Sequence, residues 1–462
     1  MTDRILNIAD VASRQLCCGC GACASLAPDR IEMIDVLEHG RRPRYRRPDD
    51  AGAADDAALA VCPGLSLEHR RAAENDDLIA ELRPGWGPVL EVWEGYAGDD
   101  AIRFAGSSGG AATALALAGL EDGPMHGALH IAARDDAPLL NHTVFSTTRT
   151  ELLAATGSRY APASPCDGLR LIEQAPAPCV FIGKPCDVVA ATKAARLRPA
   201  LDERLGLTIA IFCAGTPTTR ATYRLLEKLG VDDPADVVSV RYRGRGWPGE
   251  TTVIIRTAAG LERRSLSYRE AWGGILSRDR QWRCQVCPDH TGEFADLSIG
   301  DPWRRAPRPG EAGSSLILVR TERGRRLLRR AVERGHLIAQ RVPASHLADS
   351  QPNLLRARGA VWGRLLVCRL LRIPAPHYRG FPIFRFWRSE LSLGAKARSI
   401  LGTFRRIVTR RLTGRVALEP LGAPPARPAR SPKFDDEKNA GAEGETAAPR
   451  ATDHPAAALP TG

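Results

Sequence analysis

Seven residues near the N-terminus, Cys17-Cys18-Gly19-Cys20-Gly21-Ala22-Cys23, constrain this chain more than any other stretch of it. Cys17, Cys20 and Cys23 stand there in a C-x2-C-x2-C pattern, and Cys62-Pro63 follows downstream. A two-residue gap lets the backbone curl so that successive sulfurs point inward. Glycines at 19 and 21 let it approach a bound body closely, with amides free to bond to sulfur. Four thiolates converging from one side suit a compact iron–sulfur cluster, with Cys18 pointing away as a spare. Four cysteines also make a closed zinc site, although zinc ribbons usually carry two separate C-x2-C knuckles. The triple spacing is closer to bacterial ferredoxins, with one departure: the fourth cysteine there follows after three residues, whereas here it lies far downstream.

The chain holds 12 cysteines in all. Its first residues mix acids and bases without a long apolar core, so no secretory leader is read there. A cytoplasmic, reducing setting is expected, in which grouped cysteines act as metal ligands or redox groups rather than structural disulfides. A second group is dispersed. Cys284-Gln285-Val286-Cys287-Pro288 is a C-x2-C with a following proline, and Cys186 and Cys213 sit at apparent strand ends. Strand ends on one edge of a parallel sheet converge, so four ligands from three loops could close a second site. A lone C-x2-C could instead be a thiol redox pair, and Cys186 or Cys213 could be core residues. Cys179 opens an apolar run and reads as core; Cys166 and Cys368 receive no role.

With 462 residues, of which 44% are apolar, the chain should hold two to four domains. Composition sets an N-terminal iron–sulfur segment (1–88) apart from an apolar core (89–345), a basic extension (346–420) and a tail (421–462) dominated by Pro, Ala, Gly and charge. Such a tail cannot bury enough surface to offset its ordering entropy and reads as disordered. Residues 40–47 read as a polar loop and 71–88 as a helix with a linker. In the core, apolar runs at 89–96, 128–132, 179–182, 207–212, 251–256 and 316–320 read as strands. A Gly-rich turn opening a helix at 106–120 and helical patterns at 218–229 and 321–342 alternate with them, which predicts an α/β core.

The net charge of +12 is concentrated: from 353 to 415 there are fifteen Lys or Arg against one acid, Glu390. Ile400, Leu401, Phe404, Ile407, Val408 and Leu412 cluster on one helical face there. Together with Phe381, Phe384, Phe386 and Trp387, this suits an anionic membrane surface on the inner face of the membrane. The other reading is a helix packed on the body with solvated arginines. No nucleic acid is expected, since no base-reading module is visible. No apolar stretch is long enough to span a bilayer.

Two small-residue turns complete the picture. Arg103–Gly110 reads RFAGSSGG just before a helix, and free amides at a helix start bind anions. Thr156-Gly157-Ser158-Arg159-Tyr160 adds a cation and an aromatic ring. Either could hold a phosphate; either could be an ordinary turn. Ser298-Ile299-Gly300-Asp301-Pro302-Trp303 ends a predicted strand, where Asp301 could contact a ligand or cap a turn.

These segments, in this order, resemble the family of beta subunits of coenzyme F-420 hydrogenases and dehydrogenases from about Cys17 to Leu318. The marks are CCGCGAC at 17–23, SSGG at 107–110, GSRY at 157–160, GKPCD at 183–187, FC at 212–213, YRGRGWPG at 242–249, CQVC at 284–287 and ADLSIGDPW at 295–303. The resemblance implies a mixed-sheet α/β core carrying FAD beside a 4Fe-4S cluster, divided into an N-terminal flavin-binding region (89–165) and a C-terminal region with the second iron–sulfur site (166–345), with an additional N-terminal cluster in some members. Relatives reduce deazaflavin coenzyme, hydroxymethyl chlorophyll or divinyl chlorophyllide, the pigment enzymes with electrons from ferredoxin. Carried over, Ser107, Ser108, Gly109, Gly110, Gly157, Ser158, Arg159 and Tyr160 look like flavin contacts. Cys186, Cys213, Cys284 and Cys287 look like ligands of the cluster nearest the flavin. Lys184 stands where relatives often have a small residue, and Arg159 where they often have lysine. Lys184, Tyr160 and Asp301 are the candidates for groups near the flavin.

The expectation is therefore an oxidoreductase with a ferredoxin-like N-terminal segment, two 4Fe-4S clusters and FAD. It would carry electrons from a ferredoxin-like donor or reduced deazaflavin to a small organic substrate. The competing reading is a zinc-bearing, non-enzymatic binding module whose basic segment does the binding.

Overall fold

Alternating apolar runs build an eight-stranded mixed sheet in the computed structural model, which describes residues 5–47, 49–50, 55–69, 76–308 and 310–422. Its strands are β1 (Glu91–Ala97), β2 (Ala128–Ala133), β3 (Asn141–Ser146), β4 (Cys179–Gly183), β5 (Leu205–Ile211), β6 (Leu297–Gly300), β7 (Ser315–Val319) and β8 (Leu337–Arg341). Their spatial order is β8-β1-β7-β6-β5-β4-β2-β3. The four strands β6, β5, β4 and β2 run parallel. The flanking strands are antiparallel to their neighbours.

Parallel strands are covered on both faces and read as nearly continuous apolar runs. Side chains alternate between the two layers. Val180, Leu207, Ile209 and Leu297 face a core shared with helices α1 (Ala111–Glu121) and α3 (Glu322–Glu333). Cys179, Phe181, Leu205 and Ala210 face α2 (Pro185–Ala195) and its Val188, Ala191 and Ala194. Cys179 is thus a core residue. Phe181 is fully buried, and its truncation to alanine is expected to cost about 3–5 kcal/mol.

Several expectations need correction. The charged segment 321–342 is not one helix: α3 stops at Glu333, Gly335 turns with a φ of 76°, and β8 follows as an edge strand on β1. The stretch 40–47 is not a loop, because Gly40–Tyr45 pairs antiparallel with Ile31–Val36. The strand predicted at 251–256 lies outside the main sheet. It is the middle of a three-stranded sheet formed by Val237–Arg241, Glu250–Thr257 and Gly260–Ser267. Gly260–Ser267 escaped notice because it is charged and mostly exposed. Of the helix read over 71–88, residues 71–75 lie outside the described residues, and Arg83–Trp86 is helical. The tail expected from 421 lies outside them too, apart from 421 and 422.

The basic extension forms α4 (Pro352–Leu370), α5 (Ile383–Glu390) and α6 (Leu393–Thr409). One side of it packs on the body: Val361, Leu365, Cys368, Ile407 and Leu412 share a cluster with Trp282 and Val286. Among the described residues no helix is long and apolar enough to cross a membrane.

Candidate functional site

The cysteine-rich loop follows helix Ile8–Ser13 and enters the short helix Ala22–Leu26 at Gly21. Gly21 has a φ of 90°, and an added Cβ would lie 2.8 Å from the Asp167 amide nitrogen. Only glycine lets the loop run against residues 164–167 in this conformation. Cys62 ends the helix Asp56–Val61. Cys17, Cys20, Cys23 and Cys62 line one cavity, walled by Ile8, Val11, Met33, Pro43, Ala58 and Val61. The Gly19 N–H donates to Cys17 Sγ at 3.3 Å. Burial, reinforced by Cys17, pushes the Cys62 thiol up to about 11.

Cys18 does not point away. It lines the same cavity, and its thiol meets that of Cys186. This contact and burial push the Cys186 thiol well above its ordinary value. Cys20 likewise meets Cys166, whose Sγ bonds to the Asp187 carbonyl at 3.2 Å.

The dispersed cysteines come together because strands place them. Register pairs Gly183 of β4 with Ala210 of β5, and Ile211 of β5 with Ile299 of β6. The carboxyl ends of the three strands therefore finish side by side. Cys186 follows β4 in the first turn of α2, Cys213 follows β5, and Asp301 follows β6. Cys284 lies in the helix Trp282–Gln285. The Gly215 N–H donates to Cys213 Sγ at 3.4 Å and the Thr216 N–H to Cys284 Sγ at 3.3 Å. Burial, then the neighbouring thiols of Cys284 and Cys186, push Cys213 well up. Burial pushes Cys287 up to about 12, with Cys186 and Cys284 adding to it. Thiols so placed must shed protons to bind a metal.

The two sets are neighbours. Besides the Cys18–Cys186 contact, Arg283, which precedes Cys284, donates from Nη2 to the carbonyl of Pro63 at 2.7 Å. The C-terminal extension clasps both. Tyr378 Oη donates to Val286 O at 2.6 Å, and its strand His377–Arg379 pairs with Ser66–Glu68 just beyond Cys62. Arg358 is buried, donating to Pro288 O at 3.0 Å and pairing with Glu293. Among the described residues no three Cys, His, Asp or Glu side chains close on a single metal-ion position.

The turns read as phosphate or flavin contacts also assemble. The Ser158 N–H donates to Ser107 Oγ at 2.7 Å, and Ser108 Oγ bonds to Ser314 O at 3.0 Å. Gly109 packs on Ser314, Gly110 is the N-cap of α1, and Gly157 approaches Arg241. Arg159 is spent on the fold: its guanidinium donates to Asn141 Oδ1 (2.8 Å), Val240 O (2.6 Å) and Pro138 O (2.6 Å). Lys184 is held by Asp187, with Nζ 2.7 Å from its carboxylate. Burial alone would lower the Lys184 pKa, but Asp187 and Cys186 raise it well above normal.

Residues absent from the sequence-based candidates surround Tyr160. Arg243 is buried and donates to Asp301 Oδ2 at 2.8 Å and to the Tyr160 hydroxyl at 3.4 Å. Trp247 Nε1 donates to Asp301 Oδ1 at 2.8 Å. Trp272 lies 4.7 Å from Tyr160 by ring centroids, Trp303 lies 4.9 Å from Trp247, and Tyr268 lies 5.4 Å from Trp303. The motifs YRGRGWPG and IGDPW hold Arg243, Trp247 and Trp303, whereas Tyr268 and Trp272 lie outside both. Phe212, which precedes Cys213, packs against Gly300 beside Asp301, so this aromatic group borders the dispersed cysteines.

Two models of one family match in order: the N-terminal part of the coenzyme F-420 hydrogenase/dehydrogenase beta subunit over residues 92–169, and its C-terminal part over 178–345. The chain is 22% identical over 350 residues to an uncharacterized protein of Methanocaldococcus jannaschii, covering 70% of this chain and 88% of the other. It is 22% identical over 321 residues to a subunit of the F(420)H(2) dehydrogenase of Methanosarcina mazei, covering 69% and 83% respectively. A chain of the F-420-reducing [NiFe] hydrogenase complex from Methanosarcina barkeri aligns with a TM-score of 0.46 and 20% identity, over 72% of this chain and 95% of that one. With both halves matched in sequence order, the chain belongs to the family of coenzyme F-420 hydrogenase/dehydrogenase beta subunits.

Proposed function

We propose that this chain is an oxidoreductase subunit that holds two 4Fe-4S clusters and FAD. It exchanges electrons between a ferredoxin-like donor or reduced deazaflavin and a small organic substrate. Family membership supports the electron-transfer class of the reaction. The observation that carries the rest is the adjacency of two cysteine sets at the carboxyl edge of parallel strands, where ligand sites of α/β sheets form.

Cys17, Cys20, Cys23 and Cys62 would hold the first cluster, and Cys186, Cys213, Cys284 and Cys287 the second. The donor sets fit: thiols grouped in low-dielectric surroundings, with backbone N–H groups already aimed at Cys17, Cys213 and Cys284. The 107–110 and 157–160 turns, bordered by Tyr160, Trp272 and Trp303, would hold the flavin, which converts between single electrons and electron pairs. Arg243 pairs with Asp301 and orients Tyr160. Lys184 puts a cation beside Cys186. A larger assembly is the natural setting, since one relative is named as a subunit of a dehydrogenase.

The test is composition after anaerobic purification. Iron with acid-labile sulfide and a flavin spectrum are expected. Zinc without sulfide or flavin would overturn the proposal in favour of a binding module.

A further inference from the structure

The body covers one side of helix α6 and leaves an apolar face on the other. Ser399, Thr403 and Ile407 are buried on the side that packs against α4. The other face carries Leu393, Ala397, Leu401, Phe404 and Val408. Their spacings, of three or four residues, put all five in one narrow sector of the helix. Leu393 is 82% exposed, Leu401 67%, Phe404 40% and Val408 77%. Single exposed leucines are ordinary, but a continuous stripe marks an interaction surface. The face read from periodicity therefore divides: Ile407 and Leu412 turn inward, while Leu401, Phe404 and Val408 turn out.

Charge identifies the occupant. Arg398 and Arg405 are exposed and lie along one margin of the stripe. Arg385, Arg388 and Arg411 are exposed nearby in the chain, and the only carboxylate between 353 and 415 is Glu390. An apolar stripe bordered by guanidinium groups matches the boundary between anionic headgroups and acyl chains. An exposed apolar face on one helix asks only for a fluid apolar layer beneath an anionic one, whereas a protein partner would need a groove shaped to it.

We infer that α6 docks this protein on an anionic lipid bilayer. Leu393, Leu401, Phe404 and Val408 sink below the headgroups, and Arg398 and Arg405 engage the phosphates. The surface lies outside both family-matched regions and does not depend on any cofactor.

Flotation of the full-length protein tests it, with vesicles of phosphatidylcholine alone and of phosphatidylcholine mixed with phosphatidylglycerol. The protein is expected to float with the mixed vesicles only, and less at high salt. Combining Leu401→Ser, Phe404→Ser and Val408→Ser should abolish flotation while leaving the melting temperature unchanged. Combining Arg398→Gln with Arg405→Gln should weaken binding about thirtyfold, at about 1 kcal/mol per cation. This second pair keeps the test sound if the first variant folds poorly. Equal flotation with both vesicle types, equal binding by wild type and arginine variant, or no flotation with anionic vesicles would overturn the inference, including the case where the stripe binds a protein instead.

Discussion

The compact cysteine set and the dispersed one are built in opposite ways. Cys17, Cys20 and Cys23 are positioned by seven consecutive residues, and Cys62 joins them from one helix end. Cys186, Cys213, Cys284 and Cys287 depend on two parallel strands, a short helix and a clasp from the C-terminal extension. The first geometry is local, so changes within the loop should harm it most. The second belongs to the whole fold and can be damaged from far away in the chain.

The largest effect should come from Arg358, which lies 71 positions beyond Cys287 in the chain. Arg358→Ala leaves the buried Glu293 carboxylate without its main counter-charge and removes the bond to Pro288 O. The expected loss is about 3–5 kcal/mol in denaturant unfolding. Iron at the dispersed set should fall while the compact set keeps its own. Equal loss at both sets would break the contrast.

The same carboxylate predicts an acid limb. Burial pushes Glu293 up, but Arg358, His69 and Arg320 together hold it down at about 2, below its ordinary 4.5. A depressed carboxylate stabilises the fold fully above its unfolded value, and that stabilisation is lost as the pH falls from 4.5 toward 2. Denaturant midpoints measured across this range should drop in the wild type, and Glu293→Gln should flatten the limb.

Gly21→Ala should reverse the pattern. Its Cβ would press on the backbone of Asp167, which cannot yield, at a φ of 90°. Strain of about 1–3 kcal/mol is expected, with iron lost at the compact set and kept at the dispersed one. Gly215→Ala should have the smallest effect. Its φ of 116° is unfavourable, but the nearest atoms are side-chain ones, Cδ of Arg280 at 2.7 Å and Cβ of Cys284 at 3.2 Å, rather than backbone. A loss of about 1–2 kcal/mol in thermal melts would sharpen the contrast between rigid and yielding neighbours.

The same division explains what the amino-acid sequence disclosed. The CCGCGAC loop was legible because its information is contained in consecutive residues. The α/β core was legible because buried parallel strands are apolar throughout. Cys18 was misplaced because its partner, Cys186, lies on another element. The Arg243–Asp301 pair and the aromatic residues around Tyr160 were illegible as a group, since their motifs meet only after the sheet forms. Arg159 read as an anion ligand because its role lies in carbonyls supplied by residues 138 and 240. The exposed face of α6 needed the structure as well: periodicity found the apolar residues, and only packing told which of them were covered.

The most direct test of two separate centres compares Cys23→Ser with Cys213→Ser, each purified anaerobically. Cys23 faces Cys17 and Cys62, and Cys213 faces Cys284 and Cys186. Iron, acid-labile sulfide and the electron paramagnetic resonance spectrum of the reduced protein should show one cluster lost in each variant, and a different one. Loss of the same signal in both, or no iron and sulfide in the wild type, would contradict the two-centre reading.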